Sequence, residues 1–280
     1  MKRALSLAAV FAVVLATGFI APASGQLIYT APSSSGLFAG VNAGNTTLTN
    51  GDNTGIGYYS LYSLTTGFWN TGVGSNSLKS VTTGVSNTGV GMWTMTNIQG
   101  GARNTAMGQG AMGGTVDSCN NVALGYNSLT TLHTGGDSFN TAAGYQAMAS
   151  LYEGKGNTAV GGYAGEPMND GNNNTFIGYV SGPTSNGLSN ATAIGYNAQV
   201  GASNSLVLGG TGSYAVKVGI GTTTPTQALD VNGNTIRVRQ SRTPSSSSDA
   251  CAQGEIVWDG SYIYVCVATN TWMRSALSTF

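Results

Sequence analysis

A five-residue motif recurs through most of this 280-residue chain, and its spacing limits the folds that the chain can adopt. The copies begin at Asn53, Asn70, Asn87, Asn104, Asn121, Asn140, Asn157, Asn174, Ala191 and Ser205. The intervals are seventeen residues, except for one of nineteen before Asn140 and one of fourteen before Ser205. A fixed short period is typical of a solenoid, in which each repeat stacks on the previous one.

The columns of the aligned repeats predict which side chains point inward. The fourth residue of the motif is apolar in nearly every copy, as at Val73, and the fifth is always glycine, which favours tight corners. A second apolar column contains Leu61, Leu78, Met95, Met112, Leu129 and Met148. Two inward positions predict two short strands per coil, with ladders of Asn and Thr side chains between coils. Helices are excluded because each repeat is short and rich in glycine and β-branched residues.

Each coil carries only about two sizeable apolar side chains, too few to offset its own ordering entropy. We therefore predict an oligomer, a homotrimer in its simplest form. Nine aromatic residues follow the glycine column or occupy the loops: Tyr58, Tyr59, Trp69, Trp93, Tyr126, Tyr145, Tyr163, Tyr179 and Tyr196. They suit either carbohydrate contacts or packing between coils.

Several segments resemble known fibre proteins. The stretch "ATAIGYNAQVGASNSLVLG" at residues 191–209 is similar to the head repeat of trimeric autotransporter adhesins. That resemblance implies an all-β fold, a left-handed parallel β-roll in an intertwined homotrimer. The connector "VGIGTTTPTQALDVNGNTIRV" and the closing stretch of the chain resemble the joints and tips of phage tail fibres. The whole chain is similar to secreted mosaic adhesive trimer fibres.

The chain divides into five predicted parts. Lys2, Arg3 and an apolar run that ends in "APASG" predict a signal peptide over residues 1–25, and hence export to the outer surface of a bacterium or secretion. An N-terminal attachment segment (26–45), a β-roll shaft (46–210), a connector (211–244) and a small antiparallel β tip (245–280) follow. Without Lys2 and Arg3 the chain has eight basic and ten acidic residues, a net charge of −2, which argues against a nucleic-acid partner. No later apolar run reaches eighteen residues, so we expect no membrane insertion.

The sequence offers little material for catalysis. His133, in the nineteen-residue coil, is the one histidine, and we expect it to be a solvated loop residue. Paired-histidine metal sites are therefore excluded, and we expect no cofactor and no metal. Asp117, Glu153 and Asp170 each lie four residues before a motif, which places Glu153 and Asp170 on adjacent coils about 5 Å apart. Such a pair suits a retaining glycosidase of the phage tailspike type, a cation site or merely solvated turns.

The tip pattern predicts a two-residue hairpin turn at Asp259-Gly260, which pairs Trp258 with Ser261. A second turn over residues 268–270 pairs Tyr264 with Arg274. Alternation then gives a core face of Ile256, Trp258, Ile263, Val265, Val267 and Met273. The opposite face carries Glu255, Tyr262, Tyr264, Trp272 and Arg274, residue types that suit either receptor binding or contact with sister chains. Cys251 and Cys266 fall on one face and could form a disulfide, while Cys119 is free, joins chains or is simply buried.

These patterns together predict a fibre that is not an enzyme and that binds a cell-surface glycan or protein through its tip. The alternatives are a tailspike-like polysaccharide-degrading enzyme, acting through Glu153 and Asp170, and a purely structural spacer.

Overall fold

The structure is a computed structural model that describes residues 28–30, 36–45 and 51–279; the predicted signal peptide lies outside these ranges. Its strands, in chain order, are β1 (Ile28–Thr30), β2 (Leu37–Ala39), β3 (Thr54–Ile56), β4 (Thr71–Val73), β5 (Thr88–Val90), β6 (Thr105–Met107), β7 (Ser118–Cys119), β8 (Val122–Leu124), β9 (Gly136–Asp137), β10 (Thr141–Ala143), β11 (Glu153–Lys155), β12 (Thr158–Val160), β13 (Asp170–Asn172), β14 (Thr175–Ile177), β15 (Gly182–Pro183), β16 (Thr192–Ile194), β17 (Gln199–Val200), β18 (Leu206–Leu208), β19 (Val218–Ile220), β20 (Leu229–Val231), β21 (Ile256–Trp258), β22 (Tyr262–Ala268) and β23 (Thr271–Ala276). A 3₁₀ turn spans Gly212–Tyr214. Within the described ranges no helix has the length and apolarity of a membrane span. The described residues form two compact units, which divide between Val216 and Lys217.

The first unit is a parallel β-solenoid. Twelve strands form one sheet in the order β1-β2-β3-β4-β5-β6-β8-β10-β12-β14-β16-β18, and only β1 runs antiparallel to its neighbour. Each repeat pairs with the same position of the next, as Thr71 does with Thr88, so the repeat period sets the register. The predicted all-β class, with a parallel solenoid and a small antiparallel C-terminal sheet, is confirmed.

The second side of each coil differs along the solenoid. From residue 118 onward short strands pair there, such as β11 with β13 and β15 with β17. In the earlier described coils this side consists of turns, so the prediction of two strands per coil holds for only part of the chain.

The inward column of each three-residue strand is its middle residue, not the following apolar one. Gly72, Gly89 and Ala106 lie inside, whereas Ile56, Met107 and Ile177 are 39%, 48% and 41% exposed. The prediction that the fourth motif residue fills the interior is therefore wrong. A Cβ added to Gly72 would lie 2.7 Å from Ser60 Oγ and 3.4 Å from Leu61 Cγ, because neighbouring side chains already occupy that space.

Two columns of larger side chains complete the core. The predicted column from Leu61 to Met148 is fully buried, which confirms it. A further apolar column, three residues later in most coils, was not predicted: Leu64, Val81, Ile98, Leu132, Leu151 and Met168. Three inward positions per coil explain how so short a repeat closes around an apolar interior.

The motif asparagines form a buried ladder. Asn70 Nδ2 donates to Asn53 Oδ1 at 3.2 Å and to the Gly84 carbonyl at 2.8 Å, and the same arrangement recurs at Asn87. The backbone amide of each asparagine also donates to the Oδ1 of the preceding one. The predicted asparagine ladder is confirmed, and it satisfies polar groups that burial would otherwise leave costly.

The coil corners require unusual backbone conformations. Gly74 has φ of +129°, and a Cβ there would lie 2.4 Å from the Gly91 carbonyl oxygen, so only glycine fits. Leu78 adopts the left-handed region, with φ of +52°. That conformation costs about 1–2 kcal/mol, which burial of the leucine side chain, at about 1.5–3 kcal/mol, offsets.

Two surface columns follow the solenoid. The outer ridge consists of the exposed or half-exposed residues Ile56, Val73, Val90, Met107, Leu124, Ala143, Val160, Ile177, Ile194 and Leu208. A tyrosine ladder consists of Tyr126, Tyr145, Tyr163, Tyr179, Tyr196 and Tyr214, whose successive ring centroids lie 5.1–6.0 Å apart. These aromatic residues therefore pack against one another between coils while keeping exposed faces.

The second unit contains the parallel pair β19–β20 and the antiparallel sheet β21-β22-β23. The predicted second hairpin is confirmed, since Tyr264 pairs with Arg274 and Val265 with Met273. The first hairpin differs from prediction because Trp258 pairs with Ile263 instead of Ser261. Asp259 causes this: its Oδ1 accepts the amides of Ser261 and Tyr262, both at 2.8 Å, and forms a wider turn.

The two faces of the tip sheet are reversed relative to the prediction. Ile256, Met273 and Trp258 are 63%, 63% and 38% exposed, so the predicted core face is wrong. The core instead consists of Cys251, Tyr264, Cys266 and Trp272. Residues 242–251, here called the serine arm, cover this side; the Trp272 amide donates to the Ser247 carbonyl at 2.8 Å. Cys251 and Cys266 are joined by a disulfide with an S–S distance of 2.01 Å.

Candidate active site

The solenoid brings together two carboxylates on its second side. Glu153 and Asp170 begin strands β11 and β13 and are direct partners in the parallel register. Neighbouring strands lie about 4.8 Å apart, so the two side chains leave the surface at adjacent positions. The sequence placed these two acids on neighbouring coils, and the structure confirms that placement.

Two open hollows meet at this pair. One lies between Thr131, Ser150, Tyr152 and Asn186, and the other between His133, Lys155 and Gly187; each is about 570 Å³, and both are also lined by Glu153 and Asp170. The size is in the range of small-molecule sites. The two carboxylates therefore stand where a ligand that extends through both hollows would cross them. The two hollows together form the acidic cleft.

An aromatic stack borders the acidic cleft. The rings of His133 and Tyr152 lie 4.6 Å apart with an interplanar angle of 21°, and Tyr152 is 51% exposed. The His133 amide also donates to the Tyr152 carbonyl at 2.9 Å, which holds the two loops together. The predicted solvated loop histidine is thus exposed but stacked. Flat aromatic faces of this kind offer apolar contact to a sugar ring.

The two carboxylates differ in how they are held. Asp170 Oδ1 accepts a hydrogen bond of 2.7 Å from the Gly187 amide. The Glu153 carboxylate has no hydrogen bond or ion pair with the described residues, and its exposed side chain can reorient. One acid is therefore fixed and the other is free, an asymmetry that the sequence did not indicate.

Other acids lie apart from this pair. Asp117 Oδ1 accepts the Gly100 amide at 2.6 Å, and Asp137 pairs with Arg103 at 3.2 Å. Glu166, which the sequence reasoning did not single out, anchors the wall of the cleft. It accepts hydrogen bonds from the Ser150 amide at 2.7 Å and the Ser150 hydroxyl at 2.6 Å. The local sequence of Glu166 gives no signal for this, because the contact joins two coils.

The predicted tip residues are divided by the serine arm. Tyr264 and Trp272 are buried, at 4% and 5% exposure, whereas Glu255 and Arg274 are exposed and Tyr262 is half-exposed. The Tyr264 hydroxyl donates to Asp259 Oδ2 at 2.6 Å. This hydrogen bond, with others from the Ser261 and Tyr262 amides and the Thr243 hydroxyl, lowers the pKa of Asp259 to about 2. The same bond raises the pKa of Tyr264.

Within the described ranges no three His, Cys, Asp or Glu side chains come together as a metal site would require. Cys119 is half-buried and free, and its Sγ accepts the Ala102 amide at 3.2 Å.

Comparison with known proteins gives one local match to report. Depolymerase 1 of Klebsiella phage K5-2, named as specific for capsule K30/K69, is 57% identical to the chain over 37 residues. These residues are 13% of this chain and 5% of the phage protein, so the chain spans a small fraction of that relative. No family model and no solved structure matches the chain. The resemblance to adhesin heads therefore stays a prediction. The chain is a β-solenoid with local similarity to a phage depolymerase.

This match corrects one prediction. The sequence was interpreted as that of a protein that is not an enzyme, but the similar phage protein is named as an enzyme.

Proposed function

We propose that the chain is a tail-fibre-like β-solenoid that binds a surface polysaccharide in the acidic cleft and hydrolyses it. The observation that carries this proposal is the register pairing of Glu153 with Asp170 at the point where the two hollows meet. The local similarity to a phage capsule depolymerase supports the substrate class.

The arrangement suits glycosidic bond hydrolysis. Retaining glycosidases use two carboxyl groups about 5–5.5 Å apart, a separation that adjacent parallel strands provide. Asp170, held by the Gly187 amide, attacks the anomeric carbon as that carbon's bond to the leaving oxygen breaks. Glu153, which is free to reorient, gives its proton to the leaving oxygen. Water then gives a proton back to Glu153 and adds to the anomeric carbon as the bond to Asp170 breaks, which releases the sugar. The Tyr152–His133 stack positions a ring beside the acids.

The test is release of reducing ends from a panel of purified capsular polysaccharides. We expect Glu153→Gln and Asp170→Asn each to lower the rate by about 10²-fold or more. Asp117→Asn is the matched control, since Asp117 occupies the same repeat position and also accepts an amide hydrogen bond, but outside the cleft. Release that persists in both cleft variants contradicts the site. Binding without release from any polysaccharide contradicts the proposed reaction and leaves attachment as the function.

We also propose that the exported chain assembles as a homotrimer. The outer ridge is an apolar column along the whole solenoid sheet, of the kind that packs against other protein chains. Light scattering is expected to give three times the chain mass, and Ile177→Asp is expected to reduce it. A wild-type protein that stays monomeric at all concentrations contradicts the assembly.

A further inference from the structure

A second cavity lies in the tip unit, between the serine arm and the sheet. The arm is attached at several points: the Arg242 amide donates to the Trp258 carbonyl at 3.0 Å, the Trp272 amide donates to the Ser247 carbonyl, and Cys251 is bonded to Cys266. Between these attachments the arm leaves a space of about 300 Å³. Its walls are residues 244–247 of the arm on one side and Tyr264, Trp272 and Arg274 on the other.

The walls of this cavity combine aromatic rings with hydrogen-bond donors. Tyr264 and Trp272 supply rings, and Ser245, Ser246 and Ser247 supply a run of hydroxyl groups. The volume is near the lower end of the range for small-molecule sites, which suits a single sugar unit.

Among its described residues, the wall contains one donor without a protein acceptor and one charge without an ion pair. The indole Nε1 of Trp272 is buried and has no hydrogen-bond partner among the described residues. A buried donor without an acceptor is unfavourable and rare in folded proteins. Less than 1 Å² of this nitrogen is accessible, so an oxygen atom of a bound molecule supplies the missing acceptor once the serine arm or the Trp272 ring shifts.

Arg274 is the second group; it donates to the Tyr264 hydroxyl but lacks an opposite charge in the part of the chain that the structure describes. Its guanidinium lies over the Tyr262 ring, 4.1 Å from the centroid, and makes no ion pair with any residue that the structure describes. The other arginine of this region, Arg242, is already paired with Asp249 at 3.3 Å and Glu255 at 3.5 Å. Asp259 is likewise occupied by its own donors. The unmatched charge at the cavity is therefore positive.

We propose that this cavity binds an acidic sugar. The carboxylate pairs with Arg274, for which a planar guanidinium is well suited. A ring or hydroxyl oxygen accepts the Trp272 indole hydrogen, the apolar face of the sugar contacts the aromatic wall, and the serine hydroxyls bind the remaining hydroxyl groups. The site is in the tip unit, so it does not depend on catalysis in the acidic cleft.

The experiment measures binding of glucuronic acid to the full-length chain by saturation-transfer NMR and calorimetry. Glucose, which lacks the carboxylate, and acetate, which lacks the ring, are the comparison probes. We expect glucuronic acid to bind more tightly than either. Arg274→Gln is expected to weaken its binding by about tenfold or more, the effect of losing a hydrogen-bonded charge. Arg237→Gln, an exposed connector arginine, is the matched control and is expected to bind like wild type.

Trp272→Phe keeps the ring and removes the donor, so it is expected to weaken binding while the tip stays folded. Hydrogen exchange of the β22 and β23 amides checks that folding in each variant. Equal affinity for glucuronic acid and glucose, or unchanged binding in Arg274→Gln, overturns the proposal. Acetate binding as tight as glucuronic acid overturns the sugar class. Binding that is lost in Glu153→Gln but kept in Arg274→Gln assigns the sugar to the acidic cleft and overturns the tip site.

Discussion

The solenoid and the tip are stabilised in different ways. The solenoid buries a single apolar cluster of twenty-seven residues that extends from coil to coil, whereas the tip buries four, too few to hold a sheet by themselves. The tip adds a disulfide, the serine arm and a set of hydrogen bonds centred on Asp259. The solenoid has no disulfide among its described residues.

This difference predicts how the stability of each unit responds to a substitution. In a repeat array every coil contacts mainly its neighbours, so loss of a contact lowers the stability of one coil and the coils beside it. In the tip, one covalent bond and one carboxylate connect most of the structure, so a single change acts on the whole sheet. Four predictions test this contrast.

The largest effect is expected in the solenoid core. Leu129→Ala removes a fully buried side chain and is expected to destabilise its coil by roughly 2–5 kcal/mol. Native-state hydrogen exchange of the β8 and β10 amides measures this loss. Leu124→Ala, on the outer ridge with 38% exposure in the single chain, is the matched control and is expected to cost much less at dilutions where the chain is monomeric. A cost for Leu124→Ala that rises with protein concentration would show that another copy covers Leu124.

Loss of the tip disulfide comes next. The two cysteines are separated by 15 residues, and a loop of this length is expected to contribute about 3 kcal/mol. In the double variant Cys251→Ser, Cys266→Ser, amides of β22 and β23 should exchange as in a largely unfolded segment. Solenoid amides should be unchanged, and Cys119→Ser should alter neither unit. Full protection of the tip without its disulfide would contradict the contrast.

Acid is expected to weaken the tip before the solenoid. The folded pKa of Asp259 is about 2, below its ordinary value of about 3.9. A depressed pKa stabilises the fold fully above pH 4, and this contribution is lost as the pH falls towards 2. The protection of tip amides, corrected for the intrinsic exchange rate at each pH, should therefore fall over that range in wild type but change less in Asp259→Asn. Asp137→Asn is the solenoid control. If the tip of Asp259→Asn loses protection in acid as much as the wild-type tip does, Asp259 is not the cause.

The smallest effect is expected at a surface ion pair. Arg103 and Asp137 are more than half exposed, so Arg103→Ala should cost about 0.2–1 kcal/mol and lose that effect at high salt. Arg242→Ala in the tip should cost more, because Arg242 also donates to the Ala250 carbonyl and lies over the Trp272 ring. Thermal unfolding of the two variants, measured side by side, tests this order. A larger loss of stability for Arg103→Ala than for Arg242→Ala would argue against the arm as a support of the tip.

The repeat period predicted more of the solenoid than of the tip. Spacing alone gives the register, because identical positions stack, and it correctly placed Glu153 beside Asp170. It does not reveal which side of a three-residue strand faces inward. Ala106 and Gly72 are inside because little room remains there, while the larger Met107 and Val73 point outward, opposite to the usual relation of size and burial.

The tip shows where sequence reasoning lacks information. Alternation in β22 and β23 correctly paired Tyr264 with Arg274. Alternation cannot say which face is covered, and here the cover is a segment of serines with no apolar signal. The geometry around Asp170, Gly187 and Glu166 is equally invisible in sequence, since each contact joins different coils.

The asparagine ladder constrains how the gene of such a protein can change in length. Each motif asparagine bonds to the coils on both sides, so deletion or duplication of one whole coil leaves ends that still match. Recombination in units of seventeen residues would therefore lengthen or shorten the array in steps of about 4.8 Å without disturbing its pairing. Any other insertion has to bulge outward, as the two extra residues between Leu132 and Asn140 do beside the acidic cleft. Gain of whole repeats would then change the length of the solenoid, whereas small insertions would change the shape of the acidic cleft and the ligands that it binds.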